Sequence, residues 1–223
     1  MKPALAFRHP DHPKSWQELP NGGLILSHIN QTLAPWWLKF FGYHLLKIGA
    51  LSGEIDSSQS PIKHQLTLTN ELDTGNIIAE IDDLPLQKHS IDVCVLAHAL
   101  EFSLDPHHVV REANRVLIPN GYLVITGFNP FSLVGFNKFI PHRRKQTPWN
   151  ERLFSPMRVK DWLNLMGFEI QLDQRLLHSS LSRQKTPNVL STYWHKIAAR
   201  YFPSFGSVYV IVAKKRVLPL TPI

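Results

Sequence analysis

Apolar residues along the chain fall into two kinds of pattern, and each predicts an element. After a Pro-rich lead, "GGLILSHINQTLAPWWLKFFG" spaces Leu24, His28, Leu33, Trp37, Phe40 and Phe41 as one or two amphipathic helices broken near Pro35. "YHLLKIG" reads as a buried strand, "HQLTLTN" alternates like a half-covered one, and "NIIAEI" is another short strand. "SIDVCVLAH" is apolar throughout, as a strand at the centre of a parallel sheet is. "DPHHVVREANRVL" opens with an N-cap aspartate and Pro106 at the first helical position, and Val109, Val110, Ala113, Val116 and Leu117 recur at helical spacing. "PNGYLVITGF" is a turn and a buried strand. "SPMRVKDWLNLMGFEIQLDQ" repeats the grammar: a Ser-Pro cap, a helix, a glycine stop and a strand. "GSVYVIVAKK" is a last strand.

Strands alternating with helices imply a parallel sheet with crossovers, an α/β doubly wound fold. The order of elements after "GYLVITGF" is compatible with a final strand lying antiparallel between its neighbours. No repeat or low-complexity segment interrupts the pattern.

Composition narrows this picture. At 223 residues, 43% hydrophobic and 18% charged, the chain is expected to be one ordinary globular domain. The N-terminus shows no signal-peptide pattern, and no stretch is long and apolar enough to span a bilayer, so a cytoplasmic location is expected. The single cysteine, Cys94, sits in "IDVCVL" and reads as a buried structural thiol. The net charge of +7 is uneven. Residues 1–136 hold 9 Lys+Arg and 13 Asp+Glu, a net of −4; residues 137–223 hold 15 and 4, a net of +11. Such asymmetry fits either a solvated basic face or an acidic partner.

The candidate chemistry begins at "LLKIGALSG", where a strand ends in a loop bounded by Gly49 and Gly53. It continues in "DLPLQKHSIDVCVLAHALEFSLDPHHVVREANRVLIPNGYLVITG". Together these resemble the class I S-adenosylmethionine-dependent methyltransferases, specifically the type 11 methyltransferase domain and a bacterial branch with a degenerate glycine loop. "GFNPFSLVG" and the closing "AKKRVLPLTPI" also resemble that branch. The resemblance covers about Leu19 to the C-terminus. It implies a mostly parallel seven-stranded Rossmann-like sheet, helices on both faces and an antiparallel last strand. Within residues 1–223 it implies an N-terminal helical cap (1–41), a cofactor-binding core (42–127), a flap (128–152) and the C-terminal half of the sheet (153–223). The implied cofactor is S-adenosylmethionine and the implied partner a small-molecule methyl acceptor.

Carried onto this sequence, the resemblance implies cofactor contacts from Gly49, Ser52 and Gly53 in the loop. Asn70 or Glu71 would reach the ribose, and Asp82 and Asp83 would stand near the adenine. Two positions depart from the family pattern: Lys47 replaces an aspartate and Leu51 the middle glycine. His98, at the end of its strand, serves either as a cofactor-side general base or as a structural cap. Asn129 either orients an acceptor or forms an Asn-Pro turn. The histidines show no metal-ligand spacing, so no metal is expected. The segment 128–152 carries Phe128, Phe131, Phe136, Phe139 and Trp149 and is expected to be an ordered flap over the strand ends, with Arg143, Arg144 and Lys145 facing solvent or an anionic acceptor. Three functions therefore stand: a methyltransferase acting on a small molecule, a catalytically silent binding protein of that fold, and a nucleic-acid module or RNA methyltransferase using the basic C-terminal part.

Overall fold

The computed structural model describes residues 12–70, 75–137, 149–177 and 205–216. A 3-10 turn, Trp16–Glu18, leads into helix α1, Gly22–Trp37, and strand β1, His44–Ile48. One helical turn, α2 (Ala50–Gly53), precedes β2 (His64–Thr69), β3 (Ile77–Ile78) and β4 (Ile91–Ala97). Then come α3 (Pro106–Val116), β5 (Leu117–Phe128), the short α4 (Leu133–Phe136), α5 (Pro156–Leu165), β6 (Phe168–Leu176) and β7 (Val208–Lys215). The strands form one sheet in the order β3-β2-β1-β4-β5-β7-β6. β7 runs antiparallel to both of its neighbours, and the other paired strands are parallel. This is the doubly wound, seven-stranded arrangement expected, with the last strand reversed.

Sequence explains the placement of the layers. Every residue of β4 is buried, as its unbroken apolar run requires of a central strand covered on both faces. One core gathers Leu46, Cys94 and Leu96 with Val109 and Val116 of α3 and Val159 and Leu163 of α5. The other gathers Leu45, Val93 and Val95 with Ile25, Ile29 and Leu33 of α1. Burial pushes the Cys94 thiol above its ordinary range, which suits a structural role. Asp105 caps α3 through Oδ1, which accepts from the amides of His107 and His108 at 3.0 and 3.1 Å.

Two expected features differ. Pro35 does not break the N-terminal helix; α1 runs through it to Trp37. A proline near the C-terminal end removes a single internal hydrogen bond, and burial of Leu33 and Trp37 in the sheet-facing core outweighs that loss. The strand "NIIAEI" shrinks to Ile77 and Ile78, and the chain then turns so that Ile81 faces inward. In the expected flap, Phe128 and Trp149 are buried and the Trp149 indole N–H donates to the Val134 carbonyl at 3.0 Å. Phe131 is 63% exposed. Residues 138–148, with Phe139, Arg143, Arg144 and Lys145, lie outside the described residues. No described helix is long and apolar enough to cross a membrane.

The string "REANRVL" has a mechanical role. Arg115 donates to the carbonyls of Leu84 and Leu86 at 2.9 and 2.8 Å and to both carboxylate oxygens of Glu112 at 2.8 Å. Glu112 Oε2 also accepts from the Leu84 amide at 3.1 Å. The pair thus clamps the "LPL" turn onto α3. The hydrogen bond from Arg115 holds the Glu112 carboxyl below its ordinary range. A carboxylate with a depressed folded-state pKa contributes stability above its unfolded pKa and loses it as pH falls through the folded value. Wild type is therefore expected to lose stability more steeply than Glu112→Gln as pH falls below about 4.5, toward the lower pKa of the folded state. Urea melts of both proteins between pH 7 and pH 3 check this; parallel pH profiles would refute the clamp.

Candidate functional site

Strand order reverses between β1 and β4, and ligands of such sheets bind beyond the carboxyl ends of the strands at that place. A cleft of about 470 Å³, part of it open to solvent, lies there.

The floor of the cleft is the turn after β1. Gly49 has φ 89° and ψ 153°, a conformation essentially restricted to glycine. Its amide donates to the Leu68 carbonyl at 2.8 Å, tying the turn to β2. A Cβ at Gly49 would meet only the Ala99 methyl, 4.0 Å away, so the space before it belongs to the cleft. Asn70, just past β2, lines the same cleft and presents neutral amide groups; Ile81 and Leu51 supply apolar walls. A bare glycine cradle, a neutral hydrogen-bonding side chain at the end of β2 and apolar flanks fit a nucleoside with a small polar tail.

The other expected cofactor residues are placed differently. Ser52 is fully buried; its Oγ donates to the Ile48 carbonyl at 2.5 Å and accepts from the Ala97 amide at 2.8 Å, stitching β1 to β4 beneath the cleft. Gly53 lies at the end of α2, its carbonyl accepting from Lys47 at 3.4 Å, and does not line the cleft. Neither Asp82 nor Asp83 lines the cleft; Asp83 is exposed, while Ile81 between β3 and the "LPL" turn takes the inner position. Glu71 lies outside the described residues.

The two departures in the loop have structural explanations. Lys47 is nearly buried and is not part of the cleft; its ammonium donates to the Ile55 carbonyl at 2.7 Å. Burial holds its pKa below the ordinary lysine range, with Asp56 partly offsetting this. Leu51 is 3% exposed, and its carbonyl accepts from the Trp16 indole N–H at 2.8 Å.

That contact reveals a part of the site without a sequence signal. The N-terminal segment lies across the strand ends, and His12, Pro13 and Lys14 form one wall of the cleft. Trp16 anchors it by packing edge-on against the His98 ring, centroids 5.2 Å apart. His98 lines the cleft with φ 52°, a left-handed backbone that a histidine rarely adopts. Its amide donates to the Thr126 carbonyl at 3.0 Å, and its ring lies 4.2 Å from that of Phe128. Asn129 is buried, its amide donating to the Gly206 carbonyl at 3.0 Å and accepting from the Phe131 amide at 3.1 Å. It secures the β5 exit to the lead into β7. The fold thus brings Gly49, Asn70 and His98 together and holds Ser52, Gly53 and Asn129 as framework around them.

Comparison with known proteins agrees with this geometry. The methyltransferase domain family matches residues 44–125. The chain belongs to the class I S-adenosylmethionine-dependent methyltransferases, whose cofactor is S-adenosylmethionine. Over 223 residues it is 41% identical to the uncharacterized protein YafS of Escherichia coli K12, covering 99% of this chain and 88% of that one. A shorter similarity, 39% over 54 residues and 24% of each chain, links it to the demethylmenaquinone methyltransferase of Chlamydia pneumoniae. A methyltransferase structure from Thermotoga maritima superposes with a TM-score of 0.61 at 18% identity, covering 90% of this chain and 91% of that one.

Proposed function

We propose that the protein transfers a methyl group from S-adenosylmethionine to a small-molecule acceptor in the cleft beyond β1 and β4. The observation that carries this reading is the Gly49 turn, a glycine-only backbone facing open cleft at the switch in strand order. The cofactor supplies an activated methyl group on a sulfonium, so the chain's task is to hold two reactants in line. Gly49 lets the backbone approach the ligand without a Cβ. Asn70 offers hydrogen bonds to a ribose, and Ile81 an apolar face to a base. His98 borders the same cleft and is the candidate base of this reading. Asn129 acts here as framework for that rim.

Isothermal titration of the full chain with S-adenosylhomocysteine tests the reading. Saturable binding with a micromolar Kd is expected; no heat at millimolar ligand would remove it.

A further inference from the structure

The turn between α1 and β1 holds large apolar side chains out in water. Leu38, Phe41 and Tyr43 are 64, 74 and 81% exposed. Apolar side chains grouped in this way mark sites of association, whereas singly scattered ones need no explanation. The turn is nevertheless firmly built. Phe40, within it, is fully buried; its ring packs edge-on against Trp37 and tilted against Tyr122, centroids 5.5 and 4.9 Å apart. Asp92 Oδ2 accepts from the amides of Tyr43 and His44 at 2.9 and 2.8 Å. Gly42, with φ 142°, leaves the room that this carboxylate fills, and a Cβ there would clash with it. The tip is thus presented in one arrangement, and little further ordering is needed when a partner covers it.

The end of the sheet that carries this turn is basic. Lys39 stands in the turn itself, its ammonium over the Trp36 ring, 4.5 Å from the centroid. The lead into β2 brings Lys63 to the same end, the lead into β4 brings Lys88, and the close of β7 brings Lys214 and Arg216. Among the described residues the carboxylates at these strand ends are Asp92 and Glu169. Asp92 is buried and held by the two amides, and Glu169 is paired with Arg216. Lys39, Lys63, Lys88 and Lys214 therefore surround the apolar tip with positive charge. Leu165, at the end of α5, adds an exposed apolar side chain on the other face of the same end.

We propose that this end of the molecule docks on an anionic lipid surface, with Leu38, Phe41 and Tyr43 entering the headgroup boundary and the four lysines facing the lipid phosphates. Apolar burial and attraction to anionic headgroups add together in such binding. Leu38 and Phe41 gain from contact with acyl chains, and Tyr43 suits the boundary because its ring is apolar and its hydroxyl stays wet. Lys39 can lay its stem along the apolar tip while its ammonium reaches the headgroups. Two other partners fit less well. A second copy across a two-fold axis would set these lysines close to their own images. RNA bases could stack on Phe41 and Tyr43 but leave Leu38 nothing to bury against. The cleft lies at the opposite end of β1 and β4, so a docked molecule keeps it open to water. The docking is independent of the chemistry in the cleft.

Co-sedimentation of the full chain with lipid vesicles is the test. Vesicles of phosphatidylcholine with about 30% phosphatidylglycerol should retain the protein, and phosphatidylcholine alone should retain it about tenfold less well. Salt at about 0.5 M should weaken retention, because it screens the lysines from the headgroups. The double variant Phe41→Ser with Tyr43→Ser should bind the anionic vesicles about tenfold more weakly, and Lys39→Glu should weaken them separately. Thermal melts should match wild type in both variants, since the changed side chains are exposed; Lys39→Glu decides if the double variant does not fold. No retention on anionic vesicles, equal retention on the two lipids, or retention unchanged in both variants would overturn the proposal. A dimer in solution that Phe41→Ser disperses would overturn it in favour of a second copy. Displacement of the protein from vesicles by oligouridylate, with oligouridylate binding lost in the same variants, would overturn it in favour of RNA.

Discussion

Gly49→Ala is expected to bind S-adenosylhomocysteine at least tenfold more weakly than wild type and to melt at a lower temperature. Two effects act together. The φ and ψ of Gly49 lie where a residue with a Cβ is strained by about 1–3 kcal/mol. The turn cannot relax cheaply, because the Gly49 amide is bonded to Leu68 and the Gly49 carbonyl accepts from Ser52 and Gly53. The added methyl also enters the cleft, where its one near neighbour is the Ala99 methyl. It would therefore meet the ligand and not the protein. Calorimetric titration and a thermal melt separate the two effects. A variant that melts early yet binds normally would show that the ligand does not rest on this turn.

Restoring the family residues in the loop is expected to damage the protein. In Lys47→Asp, a carboxylate would face the carbonyls of Gly53 and Ile55, which now accept from the ammonium. An uncompensated charge at so buried a position costs about 3–5 kcal/mol. Leu51→Gly removes a side chain packed in the core with Trp16 and Ile55, worth about 2–5 kcal/mol, and weakens the single turn of α2 further. Set against a domain stability of about 5–15 kcal/mol, the double variant should be largely unfolded at 37 °C. Each single variant should show a reduced urea midpoint and no gain in S-adenosylhomocysteine affinity. A stable double variant that binds more tightly would mean that Leu51 intrudes on the ligand and that the silent-protein reading holds for the wild type.

Much of the frame was legible in the sequence, and the reasons are local. β4 declares itself because a strand covered on both faces must be apolar throughout. α3 declares itself because Asp105 and Pro106 give a helix start that few other conformations would accommodate. The reversed last strand was compatible with the order of elements and implied by the family resemblance. The details of the site were harder to read because identity does not encode direction. Ser52 sits in the expected loop, yet its hydroxyl turns inward to join two strands. Asp82 and Asp83 carry the expected charge, but their apolar neighbour Ile81 takes the inner place, as burial favours. Trp16 gave no signal at all: it stands in a three-residue 3-10 turn with no periodicity, and its partners are 35 and 82 positions away. Lys47 looked like a lost cofactor contact, and only the distance to Ile55 shows its use.

The position of β7 bears on how the protein is made. Residues 208–215 occupy the place between β5 and β6, though both of those strands leave the ribosome earlier. Until β7 emerges, β5 presents an open, apolar edge, and β6 has no described strand to pair with. An edge of that kind invites pairing with other nascent chains. Completion of the sheet is thus an insertion between two waiting strands, and the Tyr209 phenol arrives beside Glu101 in that same late step. Translation therefore delivers the cleft's glycine turn early and the strand that closes the sheet last.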